Sequence, residues 1–145
     1  PPSEPPASTS GEPPDLDELY RSAVQAMAEG RPDDAIERLG RIADAVPGTA
    51  LGGQAMMDTA ETLLRAGRPL HARAAFLRYL DRHPAGTARE MARISVCRIE
   101  AGAGGGADAV PCYAAYLSEF PGGHFAAEAR RATEAPAGEA GREER

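Results

Sequence analysis

Histidine and cysteine are the side chains of this 145-residue chain best suited to catalysis or metal binding, and both are scarce. The three histidines, His71, His83 and His124, are scattered, and no two have the spacing that places metal ligands on one helix face. His83 falls at a predicted helix end, where half-buried packing explains it. We therefore expect no catalytic site, no metal site and no cofactor, and we do not predict an enzyme.

A glycine-rich stretch, GAGGG at 102–106, is the other segment with a chemical precedent, because glycine loops can cradle phosphate groups. A phosphate-binding loop follows a strand and leads into Lys and then Ser or Thr. No strand pattern precedes this stretch, and no Lys follows it. We therefore interpret it as a connection between helices.

The two cysteines, Cys97 and Cys112, allow two interpretations. They fall on two helices predicted to face each other, so they can form a disulfide in an oxidising compartment. They can also be two buried thiols that act as small apolar residues. The sequence leaves both alternatives open.

Charge and hydropathy argue against two classes of partner. The chain carries 22 acidic and 16 basic side chains, a formal charge of −6, whereas nucleic-acid binding needs a basic surface. Its longest apolar runs are far shorter than the roughly 20 residues that span a bilayer. We therefore predict a protein or peptide partner, no nucleic acid and no membrane span.

The two ends of the chain differ from its middle. Residues 1–14 are mostly Pro, Ser and Glu, and such a segment cannot bury enough apolar surface to offset its ordering entropy. We predict a disordered, extended linker there and a disordered polar tail at 136–145. Because the chain begins with Pro1 rather than Met, we interpret it as a processed product or a piece of a longer protein.

Six columns of residues recur with a period of 37, which indicates three copies of one structural unit. A single shared column would be weak evidence, but six columns in one register are typical of a tandem repeat. The columns hold small, glycine, alanine, large apolar and proline positions: Ala23, Ala60 and Cys97; Gly30, Gly67 and Gly104; Ala35, Ala72 and Ala109; Leu39, Phe76 and Tyr113; Ile42, Tyr79 and Tyr116; Pro47, Pro84 and Pro121.

Each unit is predicted to be a pair of antiparallel helices. In the first unit Asp15 caps the first helix, Glu18 completes a capping-box pattern, and Gly30 ends the helix. Pro32 opens the second helix, and Pro47 follows its last turn. The chain is therefore predicted to be all-α, with three tandem hairpins at 15–48, 50–85 and 87–122 and a short C-terminal capping helix at 124–133, within a domain at 15–135.

The third unit departs from this pattern. In the regular register Pro111 would lie too deep in its helix, where a proline produces a kink. We therefore expect a loop at 102–106 and a late start of the following helix, capped by Asp108.

The arrangement resembles the tetratricopeptide-repeat family over about residues 15–133. In the first unit the matching positions of that family are Ala23, Gly30, Ala35, Leu39 and Pro47. The resemblance implies a right-handed solenoid whose first helices line a concave, partner-binding face. The period of 37, longer than the standard 34, is similar to repeats of bacterial periplasmic Tol-Pal-associated proteins and outer-membrane assembly lipoproteins. This similarity implies a periplasmic or envelope location, with the cytoplasm as the alternative.

The repeat register places nine residues on the concave face. We predict that they receive a peptide or helix of a partner, although several can instead pack between neighbouring first helices. The implied function is a non-enzymatic scaffold in the bacterial envelope; the alternatives are a regulatory or sensor appendage of a membrane-anchored protein and a self-associating structural module. The nine residues are Tyr20, Val24, Met27, Met57, Glu61, Leu64, Met91, Ile94 and Arg98.

Overall fold

The structure, a computed structural model, describes residues 13–104 and 106–143. Side chains are described at 13–103 and 108–134. Most of the predicted linker, residues 1–12, and the last two residues of the predicted tail, 144–145, lie outside the described residues.

Helices are the regular structure throughout the described ranges, which contain no strand. Each helix packs against the next one along the chain, so the predicted all-α fold of stacked helices is confirmed. None of these helices has the length and apolar composition of a membrane span. The helices are α1 (Leu16–Ala28), α2 (Pro32–Ala45), α3 (Ala50–Arg65), α4 (Pro69–Arg82), α5 (Arg89–Gly104), α6 (Gly106–Glu119) and α7 (Ala126–Glu143).

Local sequence signals account for the helix ends in the first two hairpins. The Asp15 carboxylate accepts a hydrogen bond from the Glu18 amide and caps α1. Pro32 begins α2, where its missing N–H has no partner to lose. Gly30 and Gly67 have φ angles of 73° and 78°, a left-handed conformation in which a Cβ is strained. These glycines therefore allow the turns inside the hairpins.

A close backbone contact joins the first hairpin to the second. Thr49 caps α3 by accepting from the Gly52 amide at 3.0 Å, and its hydroxyl donates to the Val46 carbonyl at 2.7 Å. A Cβ on Gly52 would clash with the same Val46 carbonyl oxygen. Glycine at 52 therefore lets the start of α3 lie directly on the end of α2.

The recurring columns form the interior. The small, alanine and large apolar columns comprise twelve side chains, and none is more than 5% exposed. They divide into three apolar clusters, around Leu39, Phe76 and Tyr116. Each cluster also takes side chains from the next hairpin or helix: Ala55 of α3, Val96 of α5 and Ala129 of α7. A single hairpin therefore does not bury its own apolar face, and stacking completes each cluster.

The predicted loop at 102–106 is wrong, because α5 continues to Gly104 and α6 begins at Gly106. Pro111 consequently lies inside α6, and Asp108 falls in its first turn rather than capping it. A proline inside a helix removes one backbone hydrogen bond and costs about 3 kcal/mol or more. Burial of Ala109 and Tyr113 holds α6 against α5 and offsets this local cost.

The C-terminal helix is longer than predicted. We expected a cap at 124–133 and a polar tail from 136, whereas α7 extends from Ala126 to Glu143. Ala, Glu and Arg supply fourteen of its 18 residues, and these types have the highest intrinsic helix propensities. The prediction gave more weight to Pro136 as a breaker than to this composition.

Candidate functional site

The first helices of the hairpins, α1, α3 and α5, together with α7, lie side by side. The Tyr20 hydroxyl on α1 donates to the Asp58 carboxylate on α3. The Thr62 hydroxyl on α3 contacts the Met27 sulfur on α1 at 3.0 Å and donates to the Asp58 carbonyl at 2.7 Å. Two of the predicted face residues, Tyr20 and Met27, are therefore held by polar groups of α3.

The same side-by-side contact continues from α3 to α7. Met57 and Val96 belong to one apolar cluster that joins α3 to α5. Arg98 on α5 forms a bidentate ion pair with Glu128 on α7, at 2.7 and 2.8 Å, and its guanidinium lies 4.9 Å from the centre of the Phe125 ring. The four helices therefore present one continuous face, which we call the first-helix face.

One column of the predicted face is interior rather than exposed. Met57 is 3% exposed and Ile94 is fully buried, so for these two residues the structure has the alternative that the sequence left open, packing between helices. Their counterpart Tyr20 is half-buried against α3. Residues of this column point between neighbouring first helices, where the stacked hairpins cover them.

The neighbouring positions of the first-helix face carry the exposed side chains. Val24 on α1 is 45% exposed, and Leu64 on α3 and Met91 on α5 are each 41% exposed. We call Val24, Leu64 and Met91 the apolar row. The other large exposed apolar side chain described is Leu70, 68% exposed on the second helix α4. The three occupy different register positions, since their counterparts on α3 are Glu61, Leu64 itself and Gln54. Exposed apolar side chains that share one face of a protein can mark a contact surface.

Charged and phenolic groups of the first-helix face are tied to its structure. Burial and the Asp58 carboxylate raise the pKa of Tyr20 to about 12, because both disfavour the phenolate. The hydrogen bond from Arg98 lowers the pKa of Glu128. Glu61 pairs with Arg65 one turn along α3, at 3.7 Å. Glu61 and Arg98, predicted as the acid and base for a partner, already have partners within the chain.

The two cysteines are joined in the third hairpin. Cys97 on α5 and Cys112 on α6 form a disulfide, with Cα atoms 5.4 Å apart. Cys97 is fully buried, and both residues pack against the apolar cluster around Tyr116. Of the two alternatives that the sequence left open, the structure contains the bonded one.

The histidines do not assemble into a reactive group. Within the described residues no three His, Cys, Asp or Glu side chains lie close enough together to hold a metal ion. His83 caps α4 and stacks on Tyr79 with ring centres 4.9 Å apart. His124 lies 3.2 Å from Glu90 and is otherwise exposed. His83 therefore has a packing role, and His124 forms a surface pair with Glu90.

Sequence analysis missed the residues that support the first-helix face. Asp58, Thr62 and Glu128 hold predicted face residues, and none was singled out from the sequence. Asp58 and Thr62 each follow a predicted face residue by one position, which on a helix turns the side chain towards the neighbouring helix. This one-residue step from a predicted face residue is visible in the sequence, but it identifies a supporting residue only when the neighbouring helix is known.

Comparisons with known proteins identify no family for this chain. No protein-family model matches the chain. No curated protein matches it significantly.

Proposed function

We propose that this chain is a non-enzymatic protein-interaction module that binds a peptide or helix of a partner protein along its first-helix face. The observation that carries the proposal is the apolar row, one exposed aliphatic or thioether side chain on each of α1, α3 and α5. An amphipathic helix or extended segment that lies on this face would cover exposed apolar side chains of this kind.

The surroundings of the apolar row favour a partner that also supplies polar groups. Charged side chains flank the row, and Arg98 is partly exposed although it is paired with Glu128. An apolar centre with a polar rim is the usual composition of a protein–protein interface. Met91 adds an adaptable thioether, which suits a surface that accommodates side chains of different shape.

The disulfide supports an oxidising compartment for this module. Disulfides persist in the periplasm and at the cell surface, whereas thiols of cytosolic proteins are kept reduced. Together with the resemblance to envelope repeats, the Cys97–Cys112 bond makes the bacterial periplasm the proposed location.

Self-association is a second candidate, because Leu70 is a large apolar side chain that is 68% exposed away from the first-helix face. A contact between copies through α4 would cover it. Sedimentation of the wild type beside Leu70→Glu separates this possibility from partner binding, since the substitution should lower only self-association.

The test of the proposed function places charge in the apolar row. Val24→Glu combined with Leu64→Glu adds two carboxylates at exposed positions, so the free domain should keep its helicity. In a complex the carboxylates would be buried without partners and should weaken binding by well over tenfold. Circular dichroism and crosslinked capture from the envelope of the source organism measure the two effects.

Leu70→Glu is the control, because it adds one carboxylate at another exposed apolar position. The proposal expects a protein captured by the wild type and by Leu70→Glu but lost with the double variant. A folded double variant that retains every captured protein would contradict it.

A further inference from the structure

A carboxylate closes the loop end of the third hairpin. Glu90 on α5 accepts hydrogen bonds from the Tyr116 hydroxyl and from the His124 amide, both at 2.5 Å. The Tyr116 hydroxyl also accepts from the Phe125 amide at 3.0 Å. A Cβ on Gly123 would clash with the Glu90 carboxylate, so the glycine makes room for it. One carboxylate therefore satisfies two donors beneath the α6–α7 connection.

The second hairpin repeats this arrangement 37 residues earlier, without the carboxylate. Tyr79 occupies the position equivalent to Tyr116. Its hydroxyl accepts a hydrogen bond from the Ala88 amide at 3.1 Å, as the Tyr116 hydroxyl does from the Phe125 amide. Gly86 stands for Gly123, and its added Cβ would clash with the Tyr79 hydroxyl. At the position of Glu90 the second hairpin has Gly53. The tyrosine hydroxyl therefore recurs in the second hairpin, whereas the carboxylate that accepts its hydrogen bond does not.

A cavity lies beside Gly53, where the rings of His83 and Tyr79 approach the position of an added Cβ to 3.1 and 3.3 Å. A space of about 500 Å³ lies between α3, α4 and the α4–α5 connection, lined in part by Gly53, Tyr79, Gly86 and Thr87. Tyr79 is 3% exposed, and its hydroxyl donates to no acceptor in the described part of the chain. The Thr87 amide, the counterpart of the His124 amide, also has no acceptor within residues 13–104 and 106–143. Tyr79 and Thr87 both line the cavity, and within the described residues neither donor has an acceptor.

The cavity also differs in charge from its counterpart. Arg82 and His83 line it, where the third hairpin has Glu119 and Phe120. Arg82 is exposed, and no acidic side chain is among the residues lining the cavity. The buried Nε2 atom of His83 has no hydrogen-bond partner. In a chain of net charge −6 this is a locally basic site.

We propose that this cavity binds a carboxylate group of a partner peptide, which takes the position that Glu90 occupies in the third hairpin. The Tyr79 hydroxyl and the Thr87 amide donate to the carboxylate, and Arg82 supplies the opposite charge. The inference goes beyond the proposed function, since the site lies at the loop end of the second hairpin and does not depend on the apolar row.

The test follows the amide spectrum of the ¹⁵N-labelled full chain during titration with three probes. The probes are acetate, an acetylated and amidated Gly-Glu-Gly peptide, and its Gly-Gln-Gly analogue. We expect saturable shifts of the Thr87 and Ala88 amides with the Glu peptide and none with the Gln peptide. Acetate is expected to bind more weakly, because it lacks peptide contacts. Shifts with acetate alone would identify a free small acid as the ligand and overturn the peptide assignment.

Two variants test the residues that hold the carboxylate. Tyr79→Phe removes one donor to a charged acceptor and should weaken binding of the Glu peptide by about tenfold or more. Arg82→Gln should weaken it as well, and it changes an exposed residue, so the fold is retained. Tyr113→Phe and Arg78→Gln are the matched controls and should bind as the wild type does. Equal affinity in all four variants, or equal shifts with the Glu and Gln peptides, would overturn the proposal.

Discussion

The second hairpin, α3 and α4, and the third hairpin, α5 and α6, follow one 37-residue pattern but are held together by different chemistry. In the second hairpin Ala60 and Ala75 lie in an apolar cluster around Phe76. In the third hairpin the same two positions are Cys97 and Cys112, which form a disulfide. At the loop end Gly53 borders a cavity, whereas Glu90 satisfies two donors.

This difference separates two roles of the repeated residues. The small, alanine and large apolar columns set how helices pack, since they are buried in the second and third hairpins alike. The positions between columns, such as 53 and 90, change in chemical type while the backbone contacts around them recur. Sites of this chain are therefore expected where a non-column residue differs between units.

The largest expected effect is the loss of the disulfide. Its cysteines are 15 residues apart, and a bond that closes such a loop stabilises a protein by about 3 kcal/mol. Cys97→Ala with Cys112→Ala should lower the free energy of unfolding by about that amount in urea denaturation. Protection of amides in α5 and α6 should fall more than in α3 and α4.

Reduction of the wild type should reproduce the loss, and reducing agent should not affect the double alanine variant. Mass spectrometry after non-reducing digestion tests the bond directly. Two freely alkylated thiols in protein from an oxidising compartment would contradict the comparison between the hairpins.

A somewhat smaller gain is expected when the bond is copied into the second hairpin. Ala60 and Ala75 occupy the register positions of the two cysteines, so Ala60→Cys with Ala75→Cys should form a second disulfide on oxidation. Engineered disulfides often deliver less than the ~3 kcal/mol of the loop-entropy model, so we expect a gain below that. The urea midpoints of the oxidised and reduced variant measure it. Failure to form the bond would show that α3 and α4 are not related as α5 and α6 are.

The smallest expected effect is a dependence on acid pH in the third hairpin and α7. The Tyr116 hydroxyl, and then the His124 amide and ring, lower the pKa of Glu90, and Arg98 lowers that of Glu128. Their contribution to stability is therefore present above the ordinary carboxyl pKa of 4.5 and is lost as pH falls through the lowered values. Each should contribute less than about 1 kcal/mol, since both sites are partly open to solvent.

Urea denaturation between neutral pH and the acid range measures this dependence. Glu90→Gln should flatten the acid limb of the stability curve and leave the neutral region nearly parallel to that of the wild type. An acid limb that is unchanged in Glu90→Gln and in Glu128→Gln would show that these carboxylates do not distinguish the third hairpin.

Much of the fold was predictable because its signals are local or periodic. The Asp15 cap, the left-handed Gly30 and the first-position Pro32 were each read from a few neighbouring residues, and the structure has all three. The start of α6 and the end of α7 were predicted wrongly, because in both helices a proline was expected to interrupt the helix and did not. Packing of α6 on α5 tolerates Pro111, and the alanine-rich composition of α7 extends it past Pro136.

The candidate site was less predictable, because it depends on which helix covers which face. The register identified Val24, Leu64 and Met91 as surface residues, and they are exposed. The same register placed Met57 and Ile94 beside them, although both belong to apolar clusters between helices. The register does not say which part of a helix face a neighbouring helix covers. Whether any of these residues binds a partner remains the prediction that the charged variants test.

The sequence by itself determined the repeat, the helix boundaries of the first two hairpins and the residues of the core, because capping, turn conformation and apolar periodicity act over a few residues. Only the tertiary structure decided the pairing of Cys97 with Cys112, the burial of Met57 and Ile94, and the cavity beside Gly53. These features depend on distances between helices that are far apart along the chain. The difference between Gly53 and Glu90 is visible in the sequence, but the cavity that Tyr79 and Thr87 line beside Gly53 depends on the stacked hairpins.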